Sequence, residues 1–240
     1  MFRMTRDWWS NGKAQHLIGL FAFEFVVIVL GVLTAQAVAD WSRDRAAQRD
    51  MLANKERADA QIAKIAATAI AYDRVIPCMD ERMIMVMRAA SGDGQIDPAM
   101  LVRPVVRAEP FNGLSDETIV LLRARHGGEV TDRYANLAVY AQRSAELVGL
   151  LANGWQSLSI MSPEAGKVGA GDRQEARIVA SNMRSTLRSL RKTSVNISNL
   201  ARDLRIAPRF AARLRAPAGC ADLWRWNSVV YDPDDVPGPA

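Results

Sequence analysis

The chain has 240 residues, of which 49% are hydrophobic and 24% are charged, and its formal net charge is +5. This excess of positive charge is too small to require a nucleic-acid partner, and two cysteines are too few for a disulfide-rich secreted scaffold. The residues that follow position 41 suffice for one domain of ordinary size. We therefore expect a single folded domain.

Residues 17–39 form one unbroken apolar stretch with a single acid, Glu24. As a helix with ~1.5 Å rise per residue it spans roughly 34 Å, enough for the ~30 Å hydrocarbon core of a bilayer. A cleaved signal peptide is the alternative, but its apolar region is usually only about 7–15 residues long. The sequence thus predicts one transmembrane helix, preceded by a short tail over residues 1–16.

Tryptophans flank this stretch, with Trp8 and Trp9 before it and Trp41 after it. As a helix, the distance from Trp9 to Trp41 is about 48 Å, close to the ~40–45 Å that separates the two headgroup regions. Tryptophan is enriched at membrane interfaces. We expect these three residues to lie at the two interfaces.

Glu24, Gly31 and Ala35 share one face of the predicted transmembrane helix. A carboxylate within lipid usually faces protein or water, and small residues let a second helix approach closely. The first hypothesis is that a protonated Glu24 forms a hydrogen bond with another helix. The alternatives are a proton relay, or a side chain that reaches back to the headgroups.

Three later segments carry apolar or small residues at alternating spacings of three and four, which places each set on one helical seam. The seams are Ala58, Ile62, Ile65, Ala69, Tyr72 and Ile76; then Val130, Tyr134, Leu137, Ala141, Ser144, Val148, Leu151, Trp155 and Leu158; then Met183, Leu187, Leu190, Ser194, Ile197, Ala201 and Leu204. The predicted fold class is all-α, with the transmembrane helix continuing into an antiparallel helical bundle, of coiled-coil-like packing, over residues 40–231. The acidic, proline-rich residues 232–240 are expected to be a disordered tail.

Breakers and caps predict where the helices begin and end. A methionine-rich face after Pro77 is interpreted as core filling, and residues 91–113 as largely irregular. The first helix is predicted to kink or end at Pro77, and a short helix to begin after a cap at Ser115 and stop at Gly127. A long helix is predicted from Glu129 or Thr131 to about Met161, and a last helix, capped by Asp172, is predicted to end at Ile206.

Residues 173–215 contain eleven Lys or Arg and only two acids. We interpret this stretch as a solvated helix face that also favours nearby anionic lipid. Nucleic-acid binding is not favoured, because Phe210 is the only aromatic residue among these cations.

Cys78 and Cys220 fit either one disulfide in an oxidising compartment or two buried thiols in a reducing one. The cations just after the apolar stretch favour a cytoplasmic domain by the positive-inside rule, which is weak for long segments. The short basic N-terminus before a long apolar run is instead typical of an uncleaved signal anchor. We adopt the second interpretation, which places the domain outside the cytoplasm.

The run from Glu24 to Trp41 resembles the anchor of a widespread set of uncharacterised bacterial single-pass membrane proteins, which have an early glutamate and a Gly-Val-Leu element that leads to a tryptophan. The segment from Pro77 to Met83 is similar to the Pro-Cys-x-x-x-Arg-Leu element of an alphaproteobacterial branch, whose members place a second cysteine near the C-terminus. The resemblance implies a bacterial inner membrane location and supports a disulfide between Cys78 and Cys220. With the outside orientation, we expect that pairing, and hence a periplasmic domain.

Groups for catalysis are sparse. The two histidines, His16 and His126, have no evident partners for a catalytic triad, and residues 166–171 lack the ending of a phosphate-binding loop. We therefore expect no enzyme activity, no cofactor and no metal. The predicted function is a membrane-anchored helical interaction module, an accessory subunit or scaffold of an inner-membrane complex, whose partners are the lipid bilayer and other membrane helices or a second copy. The alternative is a ligand-sensing or ion-coupled component that uses Glu24.

Overall fold

A computed structural model describes residues 13–92 and 96–235, and within them the fold is all-α. The α-helices are α1 (Lys13–Ala89), α2 (Pro98–Leu101), α3 (Asp116–His126), α4 (Gly128–Ser157), α5 (Ala170–Asp203) and α6 (Cys220–Trp226). Short 3₁₀ turns occupy Leu158–Met161, Pro163–Ala165 and Pro233–Asp235. The chain forms two compact units, the first ending at Leu52 and the second beginning at Ala53.

The predicted antiparallel bundle is confirmed by the burial of all three seams. Every seam residue is buried except Val130 and Leu204, which are half-buried. The early α4 residues Tyr134 and Leu137 share a core cluster with the late α5 residue Ile197, whereas Trp155 near the end of α4 shares another with Ala176 near the start of α5. The two helices therefore run in opposite directions.

Pro77 does not end the first helix, which continues to Ala89. A proline in a helix interior removes a hydrogen bond and costs roughly 3 kcal/mol. Val75 and Ile76 before it and Met79 after it are buried in one cluster, and each fully buried apolar side chain contributes about 1.5–3 kcal/mol. Packing on both sides of the proline thus offsets its cost. Met79, Met83 and Val86 fill the core, as predicted.

Several predicted boundaries need correction. Asp172 does not cap α5 from outside but lies in its first turn, where its carboxylate accepts a hydrogen bond from the N–H of Gly169 at 2.7 Å. The helix ends at Asp203, before the predicted Ile206, because Arg205 adopts a left-handed conformation with φ 58°. The predictions for α3 are confirmed: the Ser115 hydroxyl accepts from the Thr118 N–H, and Gly127 ends the helix with φ 85°.

The segment after α5 folds back over the bundle, which the sequence did not predict. Arg209 donates its backbone N–H to the Ala63 carbonyl of α1 at 2.9 Å, and isolated bridges pair Val105 with Ser228 and Arg215 with Tyr231. Within the predicted disordered tail, residues 233–235 form a 3₁₀ turn, and disorder of the tail stays a prediction. Residues 236–240 lie outside the described residues.

Polar contacts join α1 to the helices that pack on it. The Asp80 carboxylate accepts two bonds from the Arg184 guanidinium, at 2.7 and 3.0 Å, and this hydrogen bonding raises the pKa of Arg184. The Tyr134 hydroxyl donates to Asp59, whose other oxygen lies 2.6 Å from Lys55 Nζ. Burial, followed by the bond to Asp59, raises the pKa of Tyr134.

Gly154 lies where α4 packs tightly against α5, because a Cβ there would lie 2.6 Å from Met183 Cγ and 2.7 Å from its Sδ. We expect Gly154→Ala to destabilise the domain by about 1–3 kcal/mol, the usual effect of overpacking. Gly149→Ala, on the same helix with nothing within 4 Å, is the control and should stabilise by about 0.5–1 kcal/mol. Urea unfolding followed by tryptophan fluorescence measures both. Equal stabilisation by both variants would mean that Met183 moves aside without cost.

Candidate functional site

The apolar first part of α1 is exposed on every side. Residues 19–38 are all exposed, with values of 73% for Phe21, 59% for Ile28 and 57% for Leu30. By length and composition, α1 is the one helix among the described residues that is long and apolar enough to cross a membrane, with a mean hydropathy of 2.2 in its apolar window. An exposed apolar surface of this extent marks a site of contact with lipid or with another protein.

The predicted packing face lies within this segment. Glu24, Gly31 and Ala35 are seven and four residues apart in one continuous helix and are all exposed. They therefore lie within about 40° of one another around the helix axis. A Cβ added at Gly31 would meet no atom within 4 Å, so the face is open to a second helix. Packing of this face against a partner stays a prediction.

Trp41 is 56% exposed, and the Arg45 guanidinium lies 4.3 Å from the centroid of its ring. An indole has an apolar ring and a polar N–H group, and a cation over its face adds a charge, a combination that suits a headgroup region. Trp8 and Trp9 lie outside the described residues. The placement of the three tryptophans at the membrane interfaces stays a prediction.

The structure brings Cys78 and Cys220 to disulfide distance, with an Sγ–Sγ separation of 1.98 Å and Cα atoms 5.3 Å apart. Cys78 is 3% exposed on α1, while Cys220 is exposed at the first position of α6. The predicted pairing is thus confirmed in its geometry. It fastens the short α6 to the long α1 across 142 residues of sequence.

Beside the disulfide, Arg82 forms a contact that sequence reasoning missed. Its guanidinium lies 3.9 Å from the centroid of the Trp224 ring, and its Nη1 donates to the Ala99 carbonyl at 2.5 Å. Burial lowers the pKa of Arg82, against the opposing charge of Asp97. Trp224 in turn meets Trp155 edge to face at 6.5 Å. No local pattern links these four segments, so only the fold could reveal the contact.

Chemically reactive groups do not converge in the part of the chain that the structure describes. Among those residues, no group of three or more His, Cys, Asp or Glu side chains is arranged to hold a metal ion. His126 is exposed at the end of α3.

No protein-family model, curated protein or solved structure matches this chain. The resemblance of its anchor and its Pro-Cys element to bacterial single-pass proteins consequently stays a prediction.

We expect loss of the disulfide to lower the free energy of unfolding by about 2–4 kcal/mol, because the cross-link restricts the unfolded chain. Urea unfolding of the oxidised protein, compared with Cys220→Ser, measures this effect. The control is the wild-type protein under reducing conditions, which should match the variant. Two alkylatable thiols in the purified, non-reduced protein would contradict the pairing.

Proposed function

We propose that this protein is a single-pass membrane protein whose helical bundle serves as an interaction module, an accessory subunit or scaffold within an inner-membrane complex. The observation that carries the proposal is the exposure of residues 19–38 on all sides of α1. In a folded soluble protein such a helix is covered on at least one face.

The balance of free energies favours insertion into a membrane. Twelve large apolar side chains between positions 20 and 38 are exposed. On insertion scales each contributes about 0.3–0.6 kcal/mol, so together they favour insertion by on the order of 4–7 kcal/mol. A charged Glu24 in the hydrocarbon costs only about 2.5–3.5 kcal/mol on insertion scales. One acid therefore does not prevent the segment from acting as an anchor.

The same acid supports a protein partner in addition to lipid. A carboxyl group in lipid is stabilised when it is protonated and forms a hydrogen bond with a neighbouring helix. Gly31 and Ala35 extend the face of Glu24 with small residues, and the space above Gly31 is empty. A second helix, from another subunit or another copy, can approach most closely here.

We expect Gly31→Ile to reduce recovery of the complex about fivefold or more, whereas Glu24→Gln retains it because glutamine keeps the hydrogen bond. The measurement is affinity purification of the full chain in mild detergent, with mass spectrometry of what is recovered. Ala22→Ile is the matched control, since it places an isoleucine about 180° away from position 31 around the helix.

Three other outcomes would contradict this interpretation. A proton relay predicts the reverse order, because glutamine cannot carry a proton. Recovery at the wild-type level for every variant would mean that this face meets lipid alone. A lone monomer in mild detergent would exclude a stable complex.

We further propose that the domain lies in the periplasm, because a disulfide persists in an oxidising compartment. Alkaline phosphatase, which needs such a compartment for its own disulfides, should be active when fused after residue 240. This junction leaves the Cys78–Cys220 bond intact. A fluorescent reporter that matures only in the cytoplasm should stay dark at the same junction. The opposite pair of results would place the domain in the cytoplasm.

A further inference from the structure

A cavity of about 160 Å³ lies in the helical domain, where the loop before α3 and the segment after α5 meet α1. Lys64 comes from α1, Arg107 and Glu109 from the loop, and Arg209, Phe210 and Leu214 from the last segment. Cations and apolar side chains thus meet around one small volume. These residues are far apart in sequence, and no motif connects them.

Backbone hydrogen bonds fix the walls of this cavity. The Tyr72 hydroxyl of α1 donates to the Arg107 carbonyl, and the Arg209 N–H donates to the Ala63 carbonyl at 2.9 Å. The loop is also tied to the last segment, because Val229 donates its N–H to the Val105 carbonyl at 3.1 Å. The cation-bearing segments are therefore held in place on α1 without any ligand.

The charges in the cavity are not balanced. Among the described residues, the side chains of Lys64, Arg107 and Arg209 form no hydrogen bond or ion pair, and Glu109 is the only acid in the lining. By contrast, Arg184 and Arg191 of α5 are each paired with an aspartate of α1. The lining carries a formal charge of +2, which attracts an anion.

The size of the cavity limits what it can hold. A cavity of about 150 Å³ accommodates benzene, a ring of six carbon atoms. The apolar part of a ligand in this cavity would therefore be about as large as benzene and would contact Phe210 and Leu214. The acyl chains of a phospholipid are far larger. The enclosed volume therefore fits a small molecule better than a phospholipid acyl chain.

We propose that this cavity binds a small organic carboxylate, with the carboxylate held by Lys64, Arg107 and Arg209 and an apolar group of about six carbon atoms beneath it. Guanidinium groups match carboxylates through paired hydrogen bonds, and an adjoining apolar surface adds affinity for the body of the molecule. The proposal does not depend on which protein, if any, binds the anchor.

The test is isothermal titration of the full chain in phosphatidylcholine nanodiscs, with empty nanodiscs subtracted. Benzoate is the probe. Acetate has its carboxylate without the ring, and benzyl alcohol has its ring without the charge. We expect benzoate to bind at one site, at least tenfold more tightly than either acetate or benzyl alcohol. Arg107→Gln and Arg209→Gln should each weaken benzoate binding about tenfold, as expected for the loss of a charge-assisted hydrogen bond.

Arg103→Gln is the matched control, since Arg103 is an exposed arginine on the same loop, outside the cavity lining, and its loss should change the affinity less than twofold. Lys64→Gln provides a third cavity variant on the rigid helix α1, should a loop variant fail to fold. Absence of one-site benzoate binding would overturn the proposal. Equal binding of acetate and benzoate, or equal weakening by Arg103→Gln, would overturn it by showing a general effect of surface charge.

Discussion

Burial of one face of α1 beneath α4 and α5 is the interaction on which the helical domain depends. Ile62, Ala66, Tyr72 and Met83 of this face are all almost fully buried, and both core clusters include residues of α1. Alanine recurs along the same face, so that the neighbouring helices can approach closely. Without α1, the inner faces of α4 and α5 would be exposed to water. One helix therefore supplies both the candidate anchor and the support of the bundle.

The distribution of charge follows from the same arrangement. Asp59, Asp73 and Asp80 of α1 bond with Tyr134, Arg191 and Arg184 on the two helices that cover it. The basic stretch of residues 173–215 is therefore not only a solvated face, since two of its arginines neutralise acids of α1. Such partly exposed pairs contribute little stability, but they fix which faces meet. The three unpaired cations of the cavity differ from these arginines in having no acid of α1 opposite them.

The sequence predicted what depends on local periodicity. The seams of α1, α4 and α5 were visible because spacings of three and four residues put apolar side chains on one side of a helix. Helix ends such as Ser115 and Gly127 were visible because a cap acts within a few residues. The contact of Arg82 with Trp224 and the cavity around Arg107 and Arg209 were not. They join segments that are far apart in sequence, whose only shared property is their place in the fold.

The geometry of the cavity depends on whether the Cys78–Cys220 disulfide is intact, and hence on whether the surroundings of the domain are oxidising. In the segment after α5, the described residues contain a single α-helix, α6, whose seven residues are too few to be stable on their own. This segment supplies Arg209, Phe210 and Leu214 to the cavity, and it is held by a few backbone bonds and by Cys220. Cys220 is exposed, so a reducing environment has access to the bond. In an oxidising compartment the segment is covalently fixed to α1 and the cations stay together. The proposed anion site and the proposed periplasmic location therefore depend on the same bond, because an oxidising compartment preserves the disulfide that holds the cavity-lining segment on α1.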